Sequence, residues 1–161
     1  MGAAQADRDT AMRRAVPTDV SAIRELCRAA YAKWVPLIGR EPKPMTADYE
    51  RAVTEHMIDL YEEEAQLLAL IEVIPMQDHL LIKNIAVRPD QQGKGHGDRL
   101  LRHAEAWAVA LGLAETRLYT NVAFASNLEF YAKRGYREYR RGTMLSGSIM
   151  VFMRKDCTTT T

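Results

Sequence analysis

The residue types of an anion-binding turn occur in one glycine-punctuated stretch, Asn84-Ile-Ala-Val-Arg-Pro-Asp-Gln-Gln-Gly-Lys-Gly-His-Gly97. An apolar strand is predicted to end at Pro89, and an amphipathic helix is predicted to begin at Asp98. Glycine tolerates positive φ, so the three glycines allow successive N–H groups to point into one concavity. The positive end of the helix dipole favours an anion such as a pyrophosphate at that place. The pattern therefore predicts a phosphate-bearing ligand that is bound through the backbone.

Three kinds of phosphate-binding loop can be compared with this stretch. A P-loop requires Lys followed by Ser or Thr after its last glycine, whereas Gly97 is followed by Asp98. A dinucleotide-binding loop has the spacing G-x-G-x-x-G early in the chain, whereas the spacing here is G-x-G-x-G. The remaining pattern, Gln92-x-x-Gly95-x-Gly97, resembles the coenzyme A loop of the GNAT superfamily of N-acetyltransferases. A glycine-rich turn without a ligand is the alternative.

A second stretch, Asn127-Leu-Glu-Phe-Tyr-Ala-Lys-Arg-Gly-Tyr136, resembles the x-x-x-F-Y-x-K-x-G-F/Y segment of the same superfamily. The resemblance implies that Tyr131 lies near the coenzyme A sulfur and acts as the general acid to the leaving thiolate. A free thiol has a pKa of about 8.5, so this proton is helpful but not essential. The alternative is a core role, because Phe124, Leu128 and Tyr131 occur at helical spacing.

The resemblance also implies cofactor contacts that are made largely by the main chain. The backbone of strand four would hold the pantetheine arm and the acyl carbonyl, and the loop amides would bind the pyrophosphate. Many relatives have an asparagine where this chain has Phe124, so Asn127 is the candidate here, with helix capping or solvation as its alternative. The predicted cofactor-binding residues are Ile85, Ala86, Val87, Gln92, Gly93, Lys94, Gly95, His96, Gly97 and Asn127.

The general base is the point at which the chain departs most from its relatives. They often carry Glu or Asp four residues before the valine of the A-V pair, a position that is Lys83 here. A lysine does not replace a carboxylate in this role unless burial strongly depresses its pKa. Glu72 and His79 are the substitutes that the sequence offers. A water chain, or an amine that arrives neutral, is an equal alternative, so no base is assigned.

The acceptor side is predicted at Tyr31–Met45, because the first two helices of the superfamily and their connection line the acceptor. This segment carries three prolines and one glycine, so it is expected to be a connection with a shape of its own. Tyr31, Trp34 and Met45 would form an apolar wall, and Arg40 would meet a carboxylate. A packed surface connection is the alternative.

Hydrophobic periodicity and turn residues predict the elements that position these groups. Strands are expected at 12–16, 57–61, 66–74, 80–88, 118–120, 136–140 and 149–153, and helices at 19–33, 46–56, 98–111 and 126–134. Ser126 and Glu129 predict a capping box, and Leu67–Ile71 is apolar enough to predict a strand covered on both faces. By resemblance the fold is α+β (α/β three-layer), with a mixed, mostly antiparallel sheet of six to seven strands. Helices lie on both faces, with a splay between strands four and five.

Composition excludes several function classes. With 47% apolar and 27% charged residues the chain is globular, and a net charge of +1 without a basic patch argues against nucleic acid. No apolar stretch reaches the roughly 20 residues that span a membrane, and no signal peptide is evident. Two cysteines suggest no disulfide framework and a cytoplasmic location. The four histidines are not spaced as metal ligands, so no metal site is expected.

The sequence thus predicts one acyl-CoA N-acyltransferase domain at 11–156, with flexible tails at 1–10 and 157–161. The reaction implied by the resemblance moves an acetyl (acyl) group from acetyl-CoA to a primary amine by direct transfer through a tetrahedral intermediate. A small-molecule amine is the favoured acceptor. A protein or peptide acceptor is one alternative, and a non-catalytic acyl-CoA-binding sensor is another. A homodimer paired through terminal strands is compatible with the pattern, which does not fix the oligomeric state.

Overall fold

The computed structural model describes residues 12–157, so the predicted N-terminal tail and residues 158–161 lie outside it. The strands are β1 (Met12–Arg14), β2 (Met57–Glu63), β3 (Gln66–Pro75), β4 (Leu80–Val87), β5 (Glu115–Asn121), β6 (Arg137–Thr143) and β7 (Ile149–Asp156). The helices are α1 (Val20–Tyr31), α2 (Val35–Ile38), α3 (Tyr49–Glu55), α4 (His96–Ala110) and α5 (Ala125–Lys133). No helix of the described chain is long and apolar enough to cross a membrane.

The seven strands form one mixed sheet in the order β1-β2-β3-β4-β5-β7-β6. β4 and β5 run parallel, while β1–β2, β2–β3, β5–β7 and β6–β7 are antiparallel. The predicted fold class, a mixed and mostly antiparallel sheet with helices on both faces, is confirmed. Contacts divide the described chain into two compact units, residues 12–73 with 84–101 and residues 74–83 with 102–157.

The core of the first unit is built on the apolar face of α1. Its spacing at every third or fourth position buries one side of the helix, as predicted. Each buried aliphatic side chain contributes about 1.5–3 kcal/mol relative to exposure. In β3, Leu68–Val73 are all buried, which confirms a strand that is covered on both faces. The buried residues of α1 are Val20, Ile23, Leu26, Cys27 and Ala30, and they cluster with Tyr49, Ala52, Ile58, Leu60, Leu70 and Ala86.

The second unit holds the amino-terminal half of β4 together with β5, β7 and β6. β4 pairs with β5 from Leu80↔Thr116 to Ile82↔Leu118, and the parallel ladder ends there. The predicted splay of strands four and five therefore begins at the next position, which is occupied by Lys83 and Tyr119. β6 pairs with β7 through a register shift between Glu138 and Arg140, a bulge that places an extra residue in the edge strand.

All four predicted helices are found, with ends that differ from the predictions by one to three residues. α4 begins at His96 rather than Asp98, because Gly95 adopts φ +87° and its carbonyl accepts the amide of Arg99 at 3.2 Å. At the other end α4 stops at Ala110 rather than at residue 111, Gly112 turns the chain at φ +74°, and Leu111 is 43% exposed.

The fourth predicted helix lacks its predicted capping box. α5 begins at Ala125 after Phe124 and has no side-chain cap, so Ser126 lies inside the helix. The entry is formed instead by Asn121, whose side-chain oxygen accepts the amide of Ala123 at 2.9 Å and whose carbonyl accepts that of Phe124 at 2.9 Å. An Asx turn at Asn121 thus forms the helix entry that the sequence predicted at Ser126.

Candidate active site

The glycine-rich segment forms a tight turn that runs into α4. It starts with a 3-10 segment at Pro89–Gln91 and passes through an extended Gln92. Gly93 and Gly95 have φ of +80° and +87°, a region that L side chains rarely adopt. A Cβ added at either position would meet no atom within 4 Å, so the space beside the turn is open.

The turn delivers the chain to the positive end of a helix. The Arg99 amide already bonds to the carbonyl of Gly95 at 3.2 Å. The amides of the preceding first turn have no partner within the helix, because an α-helix leaves its first N–H groups unpaired by geometry. Those amides carry the positive end of the dipole of α4, a helix of 15 residues. An anion beside the turn gains both hydrogen bonds and dipole stabilisation.

Gln92 ties the start of this turn to its surroundings. Its side-chain nitrogen donates to the carbonyl of Val87 at 3.2 Å, and its side-chain oxygen accepts from the ammonium of Lys33 at 3.2 Å. Gln92, Lys94 and both positive-φ glycines are exposed. The turn is therefore held in shape by its own side chain while its backbone faces solvent.

The ring of His96 points into the protein. It is buried, with its centroid 5.3 Å from that of Tyr61 and its Nε2 3.1 Å from the side-chain oxygen of Gln91. Burial lowers the pKa of His96 below its usual value. A neutral, inward ring leaves the backbone of His96 as its means of contact with a ligand, and that contact stays a prediction.

Tyr131 lies on α5, half-buried among aromatic rings. Its ring centroid is 5.4 Å from Phe130 and 6.0 Å from Tyr136. Burial raises the pKa of Tyr131 to about 12. Its hydroxyl makes no hydrogen bond to any residue in the range 12–157, whereas that of Tyr136 is held by Thr116 at 2.8 Å and Glu105 at 3.0 Å. Tyr131 thus carries a hydroxyl that stays protonated at neutral pH and is not committed to the fold.

The asparagines near this helix have different surroundings. Asn121 is buried and its side chain forms the turn before α5. Asn127 is half-buried in the first turn, where its amide donates to the carbonyl of Phe124 at 2.9 Å. Of the two, Asn127 has the side chain that makes no hydrogen bond to the backbone in the described chain, and its contact with the cofactor stays a prediction.

Asn84 is the centre of a buried polar cluster that the sequence did not predict. Its side-chain nitrogen donates to the Tyr49 hydroxyl at 3.2 Å and to the Cys27 sulfur at 3.4 Å, and its oxygen accepts from the Tyr31 hydroxyl at 2.8 Å. Tyr49 in turn donates to the carbonyl of Pro44 at 2.5 Å. The cluster joins α1, α3 and the connection between them to β4. Its only signal in the sequence is one amide within an apolar strand.

We expect Asn84→Ala to lower the free energy of unfolding by about 2–4 kcal/mol, because it removes the buried amide that bonds to Tyr49, Cys27 and Tyr31 and leaves a space in its place. Asn127→Ala removes a half-buried amide with no bond to the fold and should change it by less than about 0.5 kcal/mol. Urea denaturation of both variants measures the difference. Equal midpoints would show that the cluster does not stabilise the fold.

The first of the substitute bases, Glu72, is also buried. It lies on β3, and its carboxylate is 2.6 Å from Nδ1 of His56. His79 is 2.7 Å from the exposed carboxylate of Asp78 in the β3–β4 turn. Lys83, at the position where the resemblance implies a carboxylate, is exposed and donates to the Tyr119 hydroxyl at 3.4 Å. The Glu72 carboxylate is thus already in contact with His56, a pairing that no feature of the sequence predicts.

The residues predicted to form the acceptor side all lie in the first unit, but they do not form one open wall. The Tyr31 hydroxyl donates to Asn84 and, at 3.0 Å, to the carbonyl of Ile85. Met45 is buried in a 3-10 turn. Trp34 is half-buried under the ammonium of Lys33, which is 4.9 Å from its ring. Arg40 is half-buried and follows the turn at the end of α2.

The model of the acetyltransferase (GNAT) family matches residues 21–136, which is more than half of the chain. This stretch includes both the glycine turn and the tyrosine segment. The chain belongs to the GNAT acetyltransferase family. It is an acetyltransferase by family, with acetyl-CoA as the cofactor that this membership implies. No curated protein matches the sequence.

Several solved structures share the GNAT fold with this protein, although their sequence identity to it is low. A GNAT-family protein from Desulfovibrio desulfuricans is 18% identical, with a TM-score of 0.76, and the match covers 92% of this chain and 99% of that one. The PaiA N-acetyltransferase from Thermoplasma acidophilum, solved with coenzyme A, is 18% identical with a TM-score of 0.71 and coverages of 90% and 97%. The ribosomal-protein-S18-alanine N-acetyltransferase from Escherichia coli is 18% identical with a TM-score of 0.70 and coverages of 93% and 95%.

The glycine turn of this GNAT protein fits the cofactor of its family. A diphosphate needs several N–H donors on an uncrowded surface, and the turn offers positive-φ glycines, open space and the start of α4. Within residues 12–157, no three His, Cys, Asp or Glu side chains are grouped so that they could hold a metal ion.

Proposed function

We propose that the chain transfers an acetyl group from acetyl-CoA to the primary amine of a small-molecule acceptor. The observation that carries the proposal is the turn at Gly93 and Gly95, which leads exposed backbone into the N-terminus of α4. It does so within the stretch that matches the acetyltransferase family. Backbone recognition of a diphosphate is the role that this geometry supports best.

In this proposal, different groups of the chain bind different parts of acetyl-CoA. The amides of Gln92–Gly97 bind the pyrophosphate, and the backbone of Ala86 and Val87 holds the pantetheine arm with that of Ile85. The Ile85 carbonyl already accepts from Tyr31, so Ile85 contributes mainly through its amide. Asn127 supports the arm from α5. Acetyl-CoA supplies a thioester carbonyl that is already electrophilic, so the protein has mainly to align the amine and stabilise developing negative charge.

Tyr131 supplies the proton for the departing thiolate in this proposal. A raised pKa keeps its hydroxyl protonated, and the absence of a hydrogen-bond partner in the described chain leaves that proton available. On the predicted acceptor side, the partly exposed Trp34 and Arg40 are the residues that contact the acceptor, while Tyr31 and the buried Met45 support that segment. A small acceptor is favoured over a protein because no acidic trough for a basic peptide is evident in the sequence.

The remaining parts of the proposal concern the state of the protein. It functions as a single domain over residues 11–156 and resides in the cytoplasm, where its free cysteines, Cys27 and Cys157, suit a reducing environment. A homodimer through the terminal strands stays a prediction.

The pH dependence of turnover follows from the pKa of Tyr131. A general acid acts while it is protonated, so its contribution is present below its pKa and is lost as the pH rises through it. With the pKa raised to about 12, kcat should show no descending limb between pH 7 and 10. A tyrosine with its usual pKa of about 10 would lose half of its contribution by pH 10. Steady-state rates, corrected for spontaneous thioester hydrolysis, measure this, and a fall centred at or below pH 10 would contradict it.

A thiol-release assay with acetyl-CoA tests the proposed function. The panel contains free amino acids, polyamines and aryl amines beside peptides with free N-termini or lysines. We expect release with a small amine and little with peptides. Preferential turnover of peptides would identify a protein-modifying enzyme. Tight binding of acetyl-CoA without release for any amine would favour a sensor, a role that the cation of Lys83 in place of an acid makes the main competitor.

A further inference from the structure

Four side chains form a row across the solvent-accessible face of the sheet in the second unit. Lys83 comes from β4, Tyr119 from β5, Phe152 from β7 and Arg140 from β6. Tyr119 and Phe152 are direct partners in the β5–β7 ladder, and Phe152 and Arg140 are partners in the β6–β7 ladder. Lys83 and Arg140 are exposed, and the two rings between them are half-buried.

An aromatic neighbour positions each cation of this row. The Lys83 ammonium donates to the Tyr119 hydroxyl at 3.4 Å, so it is held by a side chain from the neighbouring strand β5. The Arg140 guanidinium lies over the ring of Phe152 at 4.0 Å from its centroid, so it leans over β7. The two rings are 5.6 Å apart. The aromatic partners of the two cations are therefore neighbouring side chains on adjacent strands, β5 and β7.

Neither cation has a carboxylate partner among residues 12–157. The other arginines of this part of the sheet are paired: Arg117 lies 2.7 Å from Glu115, and Arg154 lies 3.9 Å from the same carboxylate. Arg141, next to Arg140, is 2.7 Å from Glu138. Two cations that lack a carboxylate partner in the described chain, each held by one of two neighbouring aromatic rings, therefore distinguish this place from the rest of the face.

The positive charges of Lys83 and Arg140 favour an anionic ligand. A guanidinium stacked on a ring keeps its in-plane N–H edge free, and that edge matches a carboxylate in a bidentate manner. An ammonium adds a second, less directional donor. An acceptor that carries only ammonium groups would be repelled by both cations, whereas an acceptor with a carboxylate would be attracted.

The row lies where β4 and β5 part. Their ladder ends at Ile82↔Leu118, so Lys83 and Tyr119 are the first residues beyond it. Lys83 also stands at the position where, by the resemblance, relatives often carry a carboxylate that can serve as general base. We propose that Lys83 and Arg140 bind the carboxylate of the acceptor, which makes the acceptor an amino acid or a closely similar carboxylate-bearing amine. This inference rests on the proposed acetyl transfer and names the substrate class of that site, with Tyr119 and Phe152 as positioning residues.

The test compares each amino acid with its decarboxylated amine in the thiol-release assay, using phenylalanine with phenethylamine and leucine with isoamylamine. For the wild type we expect kcat/KM to favour the carboxylated member. In Lys83→Gln and Arg140→Gln that preference should fall by roughly tenfold to a hundredfold, mainly through KM, because one charge-assisted contact is lost in each. Comparing the ratio across variants cancels the different basicity of the two amines.

Arg141→Gln is the matched control, because Arg141 is the neighbouring exposed arginine of β6 and is paired with Glu138. It should leave the preference unchanged. A preference that survives in both Lys83→Gln and Arg140→Gln, or a wild type without preference, would overturn the inference while thiol release itself upheld the acetyl transfer.

Calorimetry separates this failure from failure of the proposed function. If the wild type releases no thiol with any amine, phenylalanine and phenethylamine are titrated into the protein with coenzyme A present. Tighter binding of phenylalanine that is lost in the two variants would support the carboxylate site without the transfer reaction. Equal binding of both ligands would overturn it.

Discussion

Gly95→Val should weaken coenzyme A binding by at least a hundredfold. The residue at this position has φ +87°, which a β-branched side chain adopts only with strain of about 1–3 kcal/mol. The new side chain would also project into the open space beside the turn, where the proposed diphosphate lies. Losing two charge-assisted hydrogen bonds at about 1.5–3 kcal/mol each corresponds to a factor above 100 in Kd. Isothermal titration with coenzyme A measures the change.

Gly147→Val provides the matched control. Gly147 has φ +88° and equally open surroundings, but it lies in the turn between β6 and β7. Both variants should therefore lose similar stability in thermal unfolding, while only Gly95→Val loses the cofactor. Unchanged coenzyme A affinity in a folded Gly95→Val protein would refute the assignment of this turn.

Tyr131→Phe should lower kcat by about a hundredfold and leave the Kd for acetyl-CoA within about twofold. General acids contribute about 10²–10⁴-fold, and a thiolate is an easy leaving group, so the lower end is expected. The substitution removes a hydroxyl without a partner in the described chain, so the fold should lose little stability. Single-turnover kinetics with saturating amine would separate the chemical step from binding.

Tyr136→Phe tests whether the effect belongs to the hydroxyl of Tyr131 alone. The two rings are 6.0 Å apart, but the Tyr136 hydroxyl is bonded to Thr116 and Glu105. Its loss should lower the free energy of unfolding by about 1–3 kcal/mol and leave kcat nearly unchanged. If Tyr131→Phe retains full turnover, Tyr131 is a core residue and the proton comes from elsewhere.

Much of the fold could be predicted because its signals are local and periodic. The buried face of α1 and the continuous burial of β3 follow directly from residue spacing. The misplaced boundaries have another cause. Where α4 begins depends on the φ that Gly95 adopts, and where α5 begins depends on the Asx turn of Asn121. Both are decided by backbone geometry over a few residues, which composition does not encode.

The candidate site likewise contains features that the sequence predicts and features that it does not. The glycine turn was predictable because glycine spacing records a backbone requirement. The Asn84 cluster and the Glu72–His56 pair join residues that are distant in sequence, 57 positions apart for Asn84 and Cys27 and 16 for Glu72 and His56. Their partners are brought together by sheet and helix packing. The cation row of Lys83 and Arg140 likewise depends on strand order and on a bulge in β6.

The most direct test follows the backbone amides of residues 92–97 by two-dimensional NMR while coenzyme A is added. Binding of the diphosphate by this turn predicts that these amide resonances shift together, with the same midpoint as calorimetry, and more than those of other exposed glycines such as Gly147. Binding that leaves these resonances in place, with shifts confined elsewhere, would contradict it.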